Sequence, residues 1–223
     1  MTLYPLDDLI GHVTLIDSMG TDITVVNAAR VSFSKESGYA DGYGKMKEAD
    51  IRLIKYLAKH KHWTPFSQPQ IQLRIKMPLF VARQWYKHQI GFTRNEVSRR
   101  YVSDTPECYV PSVWRKASPN IKQGSLEDKV DLVNGWIEDD MDTVVGVYKD
   151  LLAAGVCPEQ ARMVLPQSMF TEFVEVGSLA AYARLYSLRS SEDAQKETRD
   201  YANSVGIVLR TLFPHSWAAL TEA

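Results

Sequence analysis

The stretch QIQLRIKMPLFVARQWYKHQ, Gln70 to Gln89, decides the fold. Its first eight residues alternate strictly, with Ile71, Leu73, Ile75 and Met77 on one side and Gln70, Gln72, Arg74 and Lys76 on the other. That period of two is the signature of a strand with one buried face. Pro78 ends the alternation. Its fixed φ suits a first helical turn, and the pattern predicts a helix through Gln89. On that helix Gln84 and His88 share one face, while Arg83 and Lys87 share the neighbouring one.

Reading on, Arg83 to Tyr101 is RQWYKHQIGFTRNEVSRRY, with five Arg or Lys against a single acid, Glu96. The whole chain has net charge −1, so this positive charge is local. Guanidinium forks pair bidentately with phosphate or carboxylate. Here they are interleaved with Trp85, Tyr86, Phe92 and Tyr101, and with the polar Gln84, His88, Asn95 and Ser98. A helix presenting Gln84 and His88, then a loop of Arg94, Asn95, Ser98 and Arg100, would converge on an anionic, flat ligand such as a nucleotide. The competing reading is a solvated helix face followed by a basic loop. No GxGxxG or Walker sequence is present.

Outward from this segment the chain is predicted to mix strands and helices. Val13–Ile16 and Ile23–Val26 read as strands about a turn at Asp17–Gly20, with a helix starting within Asn27–Val31. The Gly- and Ser-rich segment Ser34–Gly44 reads as a mobile loop, and Met46–His60 carries a helical stripe. Thr105–Gly124 contains three prolines and reads as irregular. Leu126–Ala154 reads as one long amphipathic helix with Val130, Val133 and Ile137 on its apolar face, closed by Gly155. Pro158 opens a short helix, Thr171–Val176 is a strand, and Gly177-Ser178 caps a helix through Arg189. Asp193–Phe213 is a last helix. The expected class is α+β, a single domain over residues 1–223, with a central mixed or antiparallel sheet flanked by long helices.

Composition narrows the function. The 223 residues, 45% hydrophobic and 24% charged, suit one sizeable core. No apolar run nears the roughly 20 residues that span a bilayer, and the first residues are acidic where a secretory signal is basic. Two cysteines give neither a disulfide framework nor a metal-ligand spacing. A reducing, cytoplasmic setting is therefore expected, with no membrane, no metal and no nucleic acid as partner. His60 and His62 lack a third ligand nearby and read as structural. Arg162 lies in an apolar run, Ala161 to Leu165, and demands an anionic partner from protein or ligand. Arg189 falls near a helix C-terminus, which favours a cation on its own account. Cys157, before Pro158, is a candidate thiolate, though a small apolar role suits it better.

Five segments in order, AARVSF (Ala28–Phe33), HKHWTPF (His60–Phe66), FVARQWYKHQ…RNEVSRRY (Phe80–Tyr101), PEQARMVLP (Pro158–Pro166) and GSLAAYARLYSLR (Gly177–Arg189), resemble the flavin-dependent thymidylate synthases. The resemblance covers nearly the whole chain. The family's hallmark is Arg-His-Arg, seven residues, then Ser; here it is Lys87-His88-Gln89, eight residues, then Ser98. Ser67-Gln68 stands where the family often has Glu-His, and Asp193 where a His is common. The resemblance implies methylation of dUMP to dTMP, with carbon from 5,10-methylenetetrahydrofolate and a hydride from reduced FAD that NADPH regenerates. It also implies a homotetramer with active sites shared between subunits, and no enzyme nucleophile. Carried over residue by residue, Gln84, Glu96, Ser98, Arg99, Arg100, Arg162 and Arg189 would hold dUMP, with Arg100 on the phosphate. Ser32, His62, Thr64, Lys87, His88, Gln89, Ser178, Arg184 and Leu188 would contact FAD. Arg189, Ser98 and His88 would carry catalysis. The alternatives are a flavin- and folate-dependent pyrimidine nucleotide hydroxymethylase, and a non-catalytic nucleotide-binding protein.

Overall fold

The computed structural model describes residues 1–119, 125–130 and 134–222. Its strands are β1 (Thr2–Leu3), β2 (His12–Met19), β3 (Gln70–Pro78), β4 (Phe92–Glu96), β5 (Arg115–Ala117), β6 (Ser125–Lys129) and β7 (Phe170–Ser178). The helices are α1 (Asp22–Arg30), α2 (Glu48–Lys59), α3 (Trp63–Phe66), α4 (Leu79–Trp85), α5 (Asn134–Ala153), α6 (Pro158–Ala161), α7 (Leu179–Arg189), α8 (Lys196–Leu212) and α9 (Pro214–Thr221). Five strands form one antiparallel sheet in the order β1-β2-β3-β7-β4, and β5 pairs with β6 as a separate ribbon.

The centre of the sheet is the pair β3 and β7, in unbroken register from Gln70 opposite Ser178 to Pro78 opposite Phe170. The alternation of β3 is realised fully: Ile71, Leu73, Ile75 and Met77 are all buried. Each strand runs directly into a helix, β3 into α4 and β7 into α7. Because the strands are antiparallel, the two helices leave from opposite ends of the sheet. Ser178 caps α7 by accepting from the Ala181 N–H at 3.2 Å, satisfying one of the orphan donors of the first turn. The buried faces of α7, α8 and α9, including Leu185, Tyr201, Val205 and Trp217, join the same apolar core as β3. Among the described residues, no helix is long and apolar enough to cross a membrane.

Several local expectations are corrected. Ile23–Val26 is not a strand but part of α1. The Thr21 N–H donates to Thr24 Oγ1 at 3.0 Å at the start of that helix, and burial of Val25 and Val26 outweighs their strand preference. The turn lies at Gly20, φ +89°, after a β2 that continues through Met19. Ser34–Gly44 has no regular structure but is tethered rather than free along its length. The Asn27 side chain exchanges bonds of 3.1 and 2.8 Å with the Ser37 backbone, and Ser37 Oγ donates to the buried Asp50.

Helix α4 stops at Trp85, four residues before Gln89, so Gln84 and His88 do not share a helical face. The chain turns there to return to the sheet through Gly91, whose φ of +82° suits glycine. Arg94 and Asn95 consequently sit on edge strand β4, not in a loop. The long helix begins only at Asn134. Leu126 belongs to β6, Val130 follows that strand, and Val133 lies outside the described residues. Within the stretch read as irregular, Arg115–Ala117 form β5. Finally, α8 begins at Lys196 rather than Asp193, and it is not the last helix. Phe213, preceding a proline, leaves the helical region (φ −134°, ψ 60°), and α9 follows. Asp22 caps α9, accepting from the His215 and Ser216 N–H groups at 2.9 Å each.

Candidate active site

Arg189, the last residue of α7, is held by neutral acceptors. Its Nε donates to His88 Nε2 at 3.0 Å and its Nη2 to the Gln84 carbonyl oxygen at 3.0 Å. His88 must therefore be unprotonated at Nε2. Burial, followed by the positive charges of Arg189, Arg94 and Arg184, holds its pKa down to about 4. Gln84 and Arg189 line a cavity of about 720 Å³ with Arg115, Asp193, Gln195 and Arg199. There the Gln84 amide donates to Gln195 Oε1 at 2.7 Å.

Near His88, Arg94 on β4 reaches directly across the sheet to Glu175 on β7 and pairs with it. Glu175 is fully buried and also accepts from Trp85 Nε1 at 3.3 Å. Burial pushes its carboxyl upward, and the Arg94 charge opposes that. The Arg94 guanidinium lies 4.7 Å from the Phe92 ring centroid and 5.5 Å from that of Tyr86.

A second cavity, about 410 Å³, is lined by Glu96, Ser98, Arg99, Arg162 and Thr171 among apolar neighbours such as Met169 and Phe170. Among the described residues it shares no lining residue with the cavity at Arg189. Glu96 accepts from Thr171 Oγ1 at 2.5 Å. Arg99 donates to the Asp104 carbonyl at 2.7 Å and to its carboxylate at 3.0 Å, while its Nε is buried with no acceptor among the described residues. Arg100 pairs with Glu159 at 2.9 Å and does not line this cavity. Arg162 is corrected: it is exposed, so its apolar sequence neighbours do not bury it. Among the described residues it has no carboxylate partner, and its Nε donates to the Glu159 carbonyl at 3.3 Å.

The residues expected to contact a flavin are spread more widely. His62, Arg184 and Leu188 line an apolar cavity of about 550 Å³ between α2, α3, α7 and α9. Ser178 and Arg184 line an adjoining one of about 390 Å³, and both cavities include Trp63. Sharing Trp63 and Arg184, they make one groove with an aromatic wall and a cation, a lining that fits a flat dinucleotide. Arg184 is fixed there by its 2.7 Å bond to the Ile90 carbonyl. Gly91 packs beneath it, where an added Cβ would lie 2.9 Å from Ala181 Cβ. Ser32, Thr64, Lys87 and Gln89 are exposed and line neither cavity, and His88 points its Nε2 to Arg189 instead.

Glu175, Arg115, Gln195 and Glu197 were not singled out from sequence. Glu175 could have been found, since it occupies an inward position of β7 between Phe173 and Gly177, where a carboxylate requires a cation. Nothing local marks the other three.

A family model described as thymidylate synthase complementing protein matches residues 14–215. The chain belongs to this family. Within it, the chain is 37% identical over 225 residues to a flavin-dependent thymidylate synthase of Thermus thermophilus, covering 100% of this chain and 79% of that one. A flavin-dependent thymidylate synthase of Thermotoga neapolitana is 35% identical over 212 residues, covering 95% and 91% of the two chains. Among solved structures, a UMP/dUMP methylase, PolB, of Streptomyces cacaoi bound to 5-Br dUMP aligns with a TM-score of 0.78. At 24% identity over 94% of each chain, that likeness shows a thymidylate synthase complementing protein fold shared at the level of architecture.

Proposed function

We propose that this chain is a flavin-dependent thymidylate synthase that methylates dUMP to dTMP, with 5,10-methylenetetrahydrofolate as carbon donor and NADPH as the source of reducing equivalents. The observation that carries this reading is the similarity, over 95–100% of this chain, to relatives of that name. The placement of the candidate residues supports it. One cavity gathers hydroxyl, carboxylate and guanidinium groups, and another holds a guanidinium whose charge is not cancelled.

In this reading the phosphate lies at Ser98, Arg99 and Arg162, with Arg100 joining when it leaves Glu159. Glu96 is an acceptor only, so it faces a sugar hydroxyl rather than the phosphate. Its Oε1 accepts from Thr171, and the lone pairs that remain on the carboxylate serve that role. Arg189 meets the pyrimidine edge. The hydrogens not given to His88 and Gln84 stabilise negative charge as it develops on the ring. His88 stays neutral and holds Arg189 at Nε without contributing charge. FAD, when bound, supplies the hydride. His62, Ser178, Arg184 and Leu188 would hold it along the groove beside Trp63, with Ser32, Thr64, Lys87 and Gln89 closing around it from exposed positions. No cysteine is required. Cys157 is exposed, burial raises the Cys108 thiol, and neither lines the two nucleotide cavities.

The two nucleotide cavities share no lining residue among the described residues. A homo-oligomer, by family resemblance a tetramer in the cytoplasm with active sites shared between subunits, is part of the proposal, and in it one subunit's Arg189 cavity meets another's Ser98 cavity. The test is product analysis by mass with FAD, NADPH, methylenetetrahydrofolate and dUMP, alongside the absorption spectrum of the desalted protein. A retained flavin band perturbed by dUMP, together with a product one methylene heavier than dUMP, supports the synthase. A hydroxymethylated product, or a colourless protein that ignores FAD, overturns it.

A further inference from the structure

Beside Gln84 runs a chain of hydrogen bonds whose direction is set at its far end. Arg115 forks onto Glu197 with Nη1 to Oε1 at 2.7 Å and Nη2 to Oε2 at 3.1 Å, and its Nε donates to Ser125 Oγ at 2.6 Å. Gln195 Nε2 donates to Glu197 Oε2 at 2.9 Å, and Gln84 Nε2 donates to Gln195 Oε1 at 2.7 Å. An ionised carboxylate can only accept and a guanidinium can only donate. Glu197 therefore compels Gln195 to turn its NH₂ inward and its oxygen toward Gln84, and Gln84 must answer with its own NH₂. One amide orientation follows from the other. Gln84 Oε1 is left with no partner among the described residues, beside the cavity that holds Arg189.

We propose that Gln195, Glu197 and Arg115 are positioning residues for nucleotide binding, locking the Gln84 amide so that its oxygen accepts from an N–H or O–H of the substrate. This rests on the synthase reading. Glu197 is 5% exposed, and although burial opposes ionisation, the Arg115 fork and the Gln195 amide hold its carboxyl below the usual range. The relay is therefore charged at one end throughout the neutral range. It also joins three parts of the chain distant in sequence: the β5–β6 ribbon through Arg115 and Ser125, the start of α8 through Gln195 and Glu197, and α4 through Gln84. A ribbon outside the main sheet thereby sets the orientation of a side chain at the nucleotide cavity.

The test is a double-mutant cycle on the intact protein with Gln195→Met and Gln84→Met, reading kcat and KM for dUMP and the dUMP-induced change in flavin absorbance. Gln195 is half-buried and precedes α8 without capping it through its side chain, so the apolar replacement should fold. Gln195→Met should raise KM for dUMP roughly tenfold, the scale of one oriented hydrogen bond, with kcat within about twofold. In the Gln84→Met background the same change should have no further effect. Additive losses, or an unchanged KM in Gln195→Met, would overturn the relay while leaving the synthase reading standing. A wild-type protein that neither binds nor methylates dUMP would overturn both.

Discussion

Arg189 and Arg99 are both guanidiniums beside a cavity, and they are held by opposite kinds of partner. Arg189 gives its hydrogens to an imidazole nitrogen and a backbone carbonyl and makes no ion pair among the described residues. Arg99 donates through Nη1 to the Asp104 carboxylate, and its neighbour Arg100 pairs through Nε with Glu159. Neutral acceptors fix a guanidinium in place without cancelling its charge. Carboxylate partners cancel it until something more anionic competes, and an exposed pair such as Arg100–Glu159 is worth only about 0–1 kcal/mol. A phosphate can win that competition. A pyrimidine ring, which gains its charge only during reaction, needs a cation that is already uncompensated. On the proposed reading, the cavity at Arg189 takes the ring and the cavity at Ser98 takes the phosphate.

The largest expected effect concerns the buried pair that flanks His88. Glu175→Gln leaves Arg94 without its counter-charge in a buried setting and should cost about 3–5 kcal/mol of stability, read as a lowered denaturation midpoint. A change of under about 1 kcal/mol would show that the prewired side of the comparison does not depend on this pair. Next, Arg189→Ala should lower kcat by about 10²–10³-fold, the usual loss for a donor to developing charge, with FAD still bound. Arg189→Lys should recover little of it, because an ammonium lacks the fork. Wild-type turnover in Arg189→Ala would sink the pyrimidine assignment. Ser98→Ala should raise KM for dUMP by roughly tenfold without lowering the melting temperature. A collapsed thermal transition would instead make Ser98 structural. The smallest effect belongs to Arg100→Ala, at about threefold or less in KM, since its exposed pair with Glu159 must first be given up.

The pH dependence sharpens the same contrast. His88 titrates near 4 in the folded protein, below its ordinary 6.5, so the unfolded chain binds the proton first as pH falls. Stability linked to His88 is thus present above about pH 6.5 and is lost progressively toward pH 4. NMR of the imidazole nitrogens should show a neutral ring at pH 5.5, and Arg189→Ala should shift the titration upward. A His88 already charged at pH 6 would contradict its role as acceptor for Arg189.

Much of the scaffold was legible because it obeys short periods. The alternation in Gln70–Met77 and the Gly177-Ser178 start of α7 are local signals, and the structure follows both. The resemblance to the flavin-dependent synthases was legible for a similar reason, since its five segments keep their order along the chain. What could not be read was decided at long range. Val25 and Val26 favour a strand by propensity but are buried as a helix. Pro78 announces the start of α4, whereas its end at Trp85 is imposed by the need to return through Gly91 into β4. Arg162 has apolar neighbours in sequence yet lies exposed, because the short helical turn that carries it turns outward. Gln195 and Glu197 have meaning only once Arg115, some 80 positions away in sequence, is brought beside them.

The most direct test mixes two inactive variants. Arg189→Ala disables one cavity, and Ser98→Ala combined with Arg99→Ala and Arg162→Ala disables the other. Each is refolded or exchanged into oligomers alone and with its counterpart, and dTMP formation is measured. If the two cavities meet across subunits, the mixture regains a substantial fraction of wild-type turnover although each parent is inactive. A mixture as inactive as its parents, from subunits shown to have exchanged, would contradict a nucleotide site built jointly by two chains.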